Sequence, residues 1–255
     1  MEMKTRHAVV AGAFYPASKE ELESMLNKFL KNVTNVDLEK EPKALIVPHA
    51  GYIYSAQVAT YSYALLKKFK KQKIILLGPS HTFYFNDIVA DVNDYWETPL
   101  GKIKVTKNDF PKLEEAHINE HCLEVQIPFL QKTLGSFEIL PLVTGEIDPD
   151  PKKISEKIIN LLDNNTILII SSDLSHYQPY DIAVEIDKNT IQTIQNLDYD
   201  KMKKQGDACG KIPIMILISI AKKLNWKCKL LSYKNSGDVT GDKSGVVGYA
   251  SFAFY

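Results

Sequence analysis

Cysteine is scarce in this sequence: three among 255 residues, at positions 122, 209 and 228. An odd number spread this widely argues against a disulfide framework and fits a reducing compartment, so a cytoplasmic protein is expected. Net charge is lacking as well, since 31 Lys and Arg balance 31 Asp and Glu. That balance leaves no electrostatic footprint for nucleic acid or an anionic membrane, and neither partner is expected. The densest basic cluster, residues 67–73, falls at an expected helix end, where cations complement the dipole and stay solvated. No apolar run approaches the roughly 20 residues that cross a bilayer, and the first ten residues lack a signal-peptide layout. Also missing are a CxxC or HExxH signature, the glycine spacing of a phosphate-binding loop and the Asp spacing of an EF-hand. No repeat or low-complexity linker divides the chain, so one domain over 1–255 is expected.

What the chain does have is short, unbroken apolar runs. Residues 44–47, 73–77, 137–143 and 166–172 read as strands buried on both faces. Helical patterns alternate with them. Ser18 and Glu21 have the form of a capping box ahead of Leu22, Met25, Leu26 and Phe29. Ser55 is expected to cap a second helix with Val58, Tyr61, Ala64 and Leu65 on its buried stripe. Further helices are expected over 122–131, with Pro128 in a first turn or at a kink, over 151–162, and within 182–197 and 213–224. Minor strands are expected around 88–91 and 102–105, with 95–101 as a turn between them. Strands at 229–233 and 246–255 flank a Gly-, Asp- and Ser-rich stretch, 235–245, read either as a structured loop over a site or as a plain surface turn. The alternation predicts an α/β fold: a central mixed sheet between helix layers, with an antiparallel edge at the C-terminus.

Three of the strand-like runs deliver histidines. One ends in Pro48-His49, another in Gly-Pro-Ser-His81, and the third in Asp173 with His176 three residues on. Ligands bind beyond the carboxyl ends of such strands. The matching placement marks His49 and His81 as functional. His176 suits proton transfer, paired with Asp173 unless that carboxylate merely caps the next turn. His121, at the start of the 122–131 helix, is a site candidate or a partly buried helix residue. His7 and His117 lie in surface-like contexts. Cys122 and Cys228 read as packed apolar side chains. Cys209 precedes a helix, whose N-terminus would favour the thiolate. Two imidazoles and one thiolate would hold a metal with a coordination position open.

The stretches AGAFYP at 11–16, VPHAGYIYS at 47–55, LLGPSH at 76–81, EHCLEVQIPFL at 120–130, SSDLSHY at 171–177, ACGKIPI at 208–214 and YKNSGDVTGDKSGVVGYASFAF at 233–254 resemble the Memo family. With the W-x-TPLG turn at 96–101 and PLVTG at 141–145, the matches span the chain. The resemblance implies a fold similar to the LigB-type class III extradiol dioxygenases. Those enzymes hold Fe(II) with two His and one Glu. The resemblance places the ligands here at His49, His81 and Cys209, with Asp173, His176 and His121 lining the pocket. A thiolate in place of the carboxylate favours copper or zinc more than the dioxygenase set does, while iron remains compatible. Ring cleavage does not follow from the fold alone. Two functions are expected from the resemblance. One is a metal-dependent oxidoreductase using Fe(II) or copper (zinc being permitted). The other is a non-enzymatic module holding a small molecule or a peptide, phosphorylated or not, in the same pocket. A third reading makes Cys209 a hydrolytic nucleophile.

Overall fold

The computed structural model describes residues 3–34, 36–69, 72–145 and 151–255. In chain order the strands are β1 (Thr5–Arg6), β2 (Ala44–Val47), β3 (Lys73–Pro79), β4 (Ile88–Ala90), β5 (Tyr95–Thr98), β6 (Gly101–Val105), β7 (Glu138–Thr144), β8 (Thr166–Ser171), β9 (His176–Gln178), β10 (Cys228–Asn235) and β11 (Val246–Phe254). The helices are α1 (Lys19–Lys31), α2 (Tyr52–Leu66), α3 (Ile127–Leu134), α4 (Pro151–Ile159), α5 (Tyr180–Gln195), α6 (Tyr199–Gln205), α7 (Lys211–Lys223) and the single turn α8 (Gly237–Thr240).

Five parallel strands form the middle of one mixed sheet, in the order β6-β7-β3-β8-β2. β11 joins β2 antiparallel and β10 closes that side, which is the edge expected at the C-terminus. β5 and β1 extend the opposite side, while β4 pairs with β7 and β9 with β11. Because side chains alternate across a strand, each apolar run feeds two cores. Leu45, Val47, Leu76 and Ile169 point to the face covered by α1, α2 and α3, where the Tyr63 and Phe129 rings stack 4.8 Å apart. Ile46, Ile75, Leu77 and Ile170 point to the face covered by α4 to α7. The continuous apolar runs are therefore the signature of a sheet buried on both sides.

Several boundaries differ from expectation. α2 begins at Tyr52, and Ser55 lies inside it, donating to the Ala50 carbonyl rather than capping. The Tyr52 amide is instead satisfied by the Phe14 carbonyl, so the opening segment does the work of a cap. Residues 95–98 form β5, and only the reversal before Gly101, whose φ is +118°, is a turn. A short strand at His176 and the helix α6 were not legible as periodic runs. His117 is not at the surface: it is 1% exposed, with Nε2 3.2 Å from the Val89 carbonyl. His7 is exposed, beside Glu97.

A buried carboxylate, Glu124 in the 3-10 turn ahead of α3, ties down the N-terminal segment. Glu124 accepts from Arg6 Nη1 at 2.7 Å, from the Val9 and Val10 amides and from the Tyr15 hydroxyl. Arg6 also donates to the carbonyls of His117 and Glu120, so it fixes the stretch that carries Glu120 and His121. Arg6→Ala leaves Glu124 buried without its cation, and a loss of about 3–5 kcal/mol in stability is expected. Urea denaturation checks this; a loss below about 1 kcal/mol would contradict the assignment.

Candidate metal centre

The parallel register brings three chain ends to one edge of the sheet. Val47 pairs with Ser171 and Leu77 with Ile170, so the residues after each strand emerge side by side. His49, His81 and Cys209 meet there, with one candidate ligand atom from each lying within 4.8 Å of the others. Cys209 reaches the edge from the start of α7: the Gly210 amide donates to Ser172 Oγ at 2.9 Å. A Cβ on Gly210 would lie 2.6 Å from Ser172 Cβ, so only glycine allows this approach. The Asp173 amide donates to Cys209 Sγ at 3.2 Å, and His49 Nε2 is 3.2 Å from the same sulfur.

Buried polar groups orient both imidazoles. Gln126 Nε2 donates to the Pro48 carbonyl, an acceptor only, which fixes its amide. The same nitrogen donates to Ser171 Oγ at 2.9 Å, and Ser171 donates to the Cys122 carbonyl at 2.7 Å. With its own proton given to Cys122, Ser171 accepts from His49 Nδ1 at 2.9 Å. Nε2 of His49 therefore carries the lone pair that faces Cys209. His81 Nδ1 lies 3.0 Å from Glu120 Oε1, and Glu120 Oε2 accepts the His81 amide at 2.6 Å. Carboxylate–histidine pairing of this kind turns the other ring nitrogen outward as a ligand. Burial alone would raise the Glu120 carboxyl; hydrogen bonds from His81 and Cys122 hold it at about 2.

His121 joins the cluster, its ring 4.8 Å from that of His81 and 5.4 Å from that of His49. Its Nδ1 is 3.3 Å from Glu120. His176 is half-buried on β9, and burial lowers its basicity. The expected role of Asp173 as its orienting partner changes. Asp173 Oδ1 accepts the His49 amide at 2.7 Å, and Oδ2 stands 4.0 Å from His49 Nε2. This contact is not an ion pair. Burial pushes His49 well below its ordinary value, helped by the neighbouring histidines, and pushes Asp173 up to about 7. His49 favours its neutral form, and Asp173 divides between its two forms near neutrality.

Cys209 also departs from expectation. Burial, then the neighbouring Asp173, pushes its thiol up to about 12, outweighing the hydrogen bonds that lower it. Dehydration wins over the helix N-terminus. Without a cation the thiol keeps its proton, which His49 Nε2 can accept as a hydrogen bond. Cys122 is fully buried as expected, donating to the Pro79 carbonyl, and Cys228 packs partly against the second core. The residues that sequence reading missed are Glu120, Gln126 and Ser171. Gln126 and Ser171 are polar positions in otherwise apolar stretches, and Glu120 adjoins His121, a candidate already singled out.

A group whose folded pKa is depressed contributes stability above its unfolded pKa and loses it as pH falls. His49 is thus expected to stay a neutral Nδ1–H imidazole in the folded protein at pH 6, where an unfolded histidine with pKa about 6.5 is mostly charged. Long-range proton–nitrogen NMR of metal-free protein reads this directly; an imidazolium at that pH would contradict the network.

Comparison with known proteins places the chain in a family. A family model described as Memo-like protein matches residues 6–253. A MEMO1 family protein of Sulfolobus acidocaldarius is 38% identical, covering 98% of this chain and 99% of its own. One from Thermoplasma volcanium is 37% identical, covering 96% and 97%. Among solved structures, an uncharacterized protein of Escherichia coli K12 shares the fold with a TM-score of 0.51 at 11% identity, over 83% of this chain and 99% of that one. Matched along nearly its whole length, the chain belongs to the Memo family.

Proposed function

We propose that His49, His81 and Cys209 bind one redox-active metal ion, iron or copper, and that the protein is an oxidoreductase acting on a small oxygenated ligand. The observation that carries this reading is the locking of His49 Nδ1 and His81 Nδ1 by buried partners, beside a thiol within 3.2 Å of His49 Nε2. A His₂Cys donor set suits copper, zinc and iron. A metal there would supply electron transfer and polarisation of a ligand oxygen. It would also displace the Cys209 proton, which explains how so buried a thiol becomes an anionic ligand.

The protein's own groups provide the rest. Asp173, at about 7, is poised to give or take a proton near neutrality. His121 adds an imidazole against the rings of His49 and His81, and His176 is a further candidate on β9. A cavity of about 330 Å³, walled by Thr82, Phe83 and Tyr84, reaches His81. A second reading, a non-enzymatic peptide-binding module, draws support from the exposed rings of Phe83, Tyr84 and Tyr177 next to His81 and His176.

Metal analysis by mass spectrometry after anaerobic purification tests the proposal. Near-stoichiometric iron or copper is expected in wild type, with a large loss in Cys209→Ser. Glu120→Ala is expected to weaken metal affinity by about 10–100-fold, because His81 loses its orienting partner. Oxygen uptake with a catechol panel, abolished by His49→Ala, would extend the reading to catalysis. Absence of metal, with no uptake of added Fe(II), Cu or Zn, would overturn it. Peptide binding that survives Cys209→Ser without turnover would favour the binding module.

A further inference from the structure

The cavity beside the candidate centre is not the most enclosed space in the molecule. A cavity of about 440 Å³ lies at the opposite edge of the sheet, on the face covered by α4 and α7. It touches Lys73 at the start of β3, whereas His81 follows the end of that strand. Ile75, the lining residue of β3 nearest His81 in sequence, lies six residues before it, roughly 20 Å at about 3.3 Å per residue, so one small ligand cannot reach both. Its lining comes from the end of α4 and the residues just after it, from the segment after β6 and from the sheet beneath.

Its chemistry is divided. Ile75 and Leu140, 3% and 5% exposed, form the floor, and Phe110 and Leu161 stand beside them as apolar walls. Lysines 73, 107 and 157 line the mouth. Lys73 is already held by Asp163 at 3.1 Å, while Lys107 and Lys157 make no ion pair among the described residues. Asp109 is the one carboxylate in the lining, so the mouth keeps a positive balance. Ligand pockets typically enclose about 300–1,000 Å³ of mostly apolar lining with a few placed polar groups, and this cavity fits that description. We infer that it is a second ligand site, one that takes a small organic anion with an apolar body. The body lies on Ile75 and Leu140, and the anionic head meets Lys107 and Lys157.

Decanoate is the probe, followed by titration calorimetry, with decanol as its uncharged counterpart. Saturable binding of one decanoate per chain is expected, with decanol at least about tenfold weaker. Lys107→Glu with Lys157→Glu reverses the charge of two exposed side chains and is expected to weaken decanoate at least about tenfold. Leu161→Trp, also at an exposed position, narrows the cavity and is expected to weaken both probes. Circular dichroism confirms that each variant is folded. Decanoate binding is expected to persist in His49→Ala, which separates this site from the metal centre. No saturable binding, equal binding of decanol, or affinity unchanged in both cavity variants would overturn the inference.

Discussion

Everything at the candidate centre depends on the parallel register of β2, β8 and β3. Val47 opposite Ser171 and Leu77 opposite Ile170 set how far each chain end projects. A one-residue slip in a strand exchanges its two faces. Here each strand is apolar on both faces, so alternation alone does not fix the register. The polar residues beyond the strand ends do. His49, Ser171, Ser172 and Asp173 find their hydrogen bonds only when the three ends are level.

Dehydration then determines the chemistry. The same burial that stabilises the sheet raises Cys209 and Asp173 and lowers His49, leaving a neutral thiol and imidazole beside a carboxyl that titrates near neutrality. Glu120 is the exception, kept ionised by donors converging from His81 and Cys122. A dry pocket with one fixed negative charge and lone pairs turned inward favours a cation over an organic anion. The Arg6–Glu124 pair lies behind it and holds the loop that presents Glu120. The positively balanced mouth at the far edge of the sheet has the opposite character, and the two sites share no residue.

Much of the architecture was legible in the chain. The runs at 44–47, 73–77 and 166–172 are apolar without interruption because both of their faces are covered, and each appears as a strand. The Ser18 cap is present, with Oγ accepting the Glu21 amide. The Ser55 cap is absent because the Phe14 carbonyl, distant in sequence, satisfies the helix start. His117 read as a surface residue for the same kind of reason. Its loop is polar in sequence, yet Arg6 and Val89 close over it from elsewhere in the chain.

The sequence by itself determined the fold class, the strand ends that carry His49 and His81, and the position of Cys209 just ahead of a helix. Those features follow from local periodicity and from turn residues next to apolar runs. Only the tertiary structure decided the rest: that Asp173 accepts from the His49 amide, that Glu120, Gln126 and Ser171 orient the two imidazoles, and that burial raises the Cys209 thiol. These depend on which groups distant in sequence share a dehydrated space. Hydrogen-bond partners and proton affinities are properties of that space, and local sequence does not encode it.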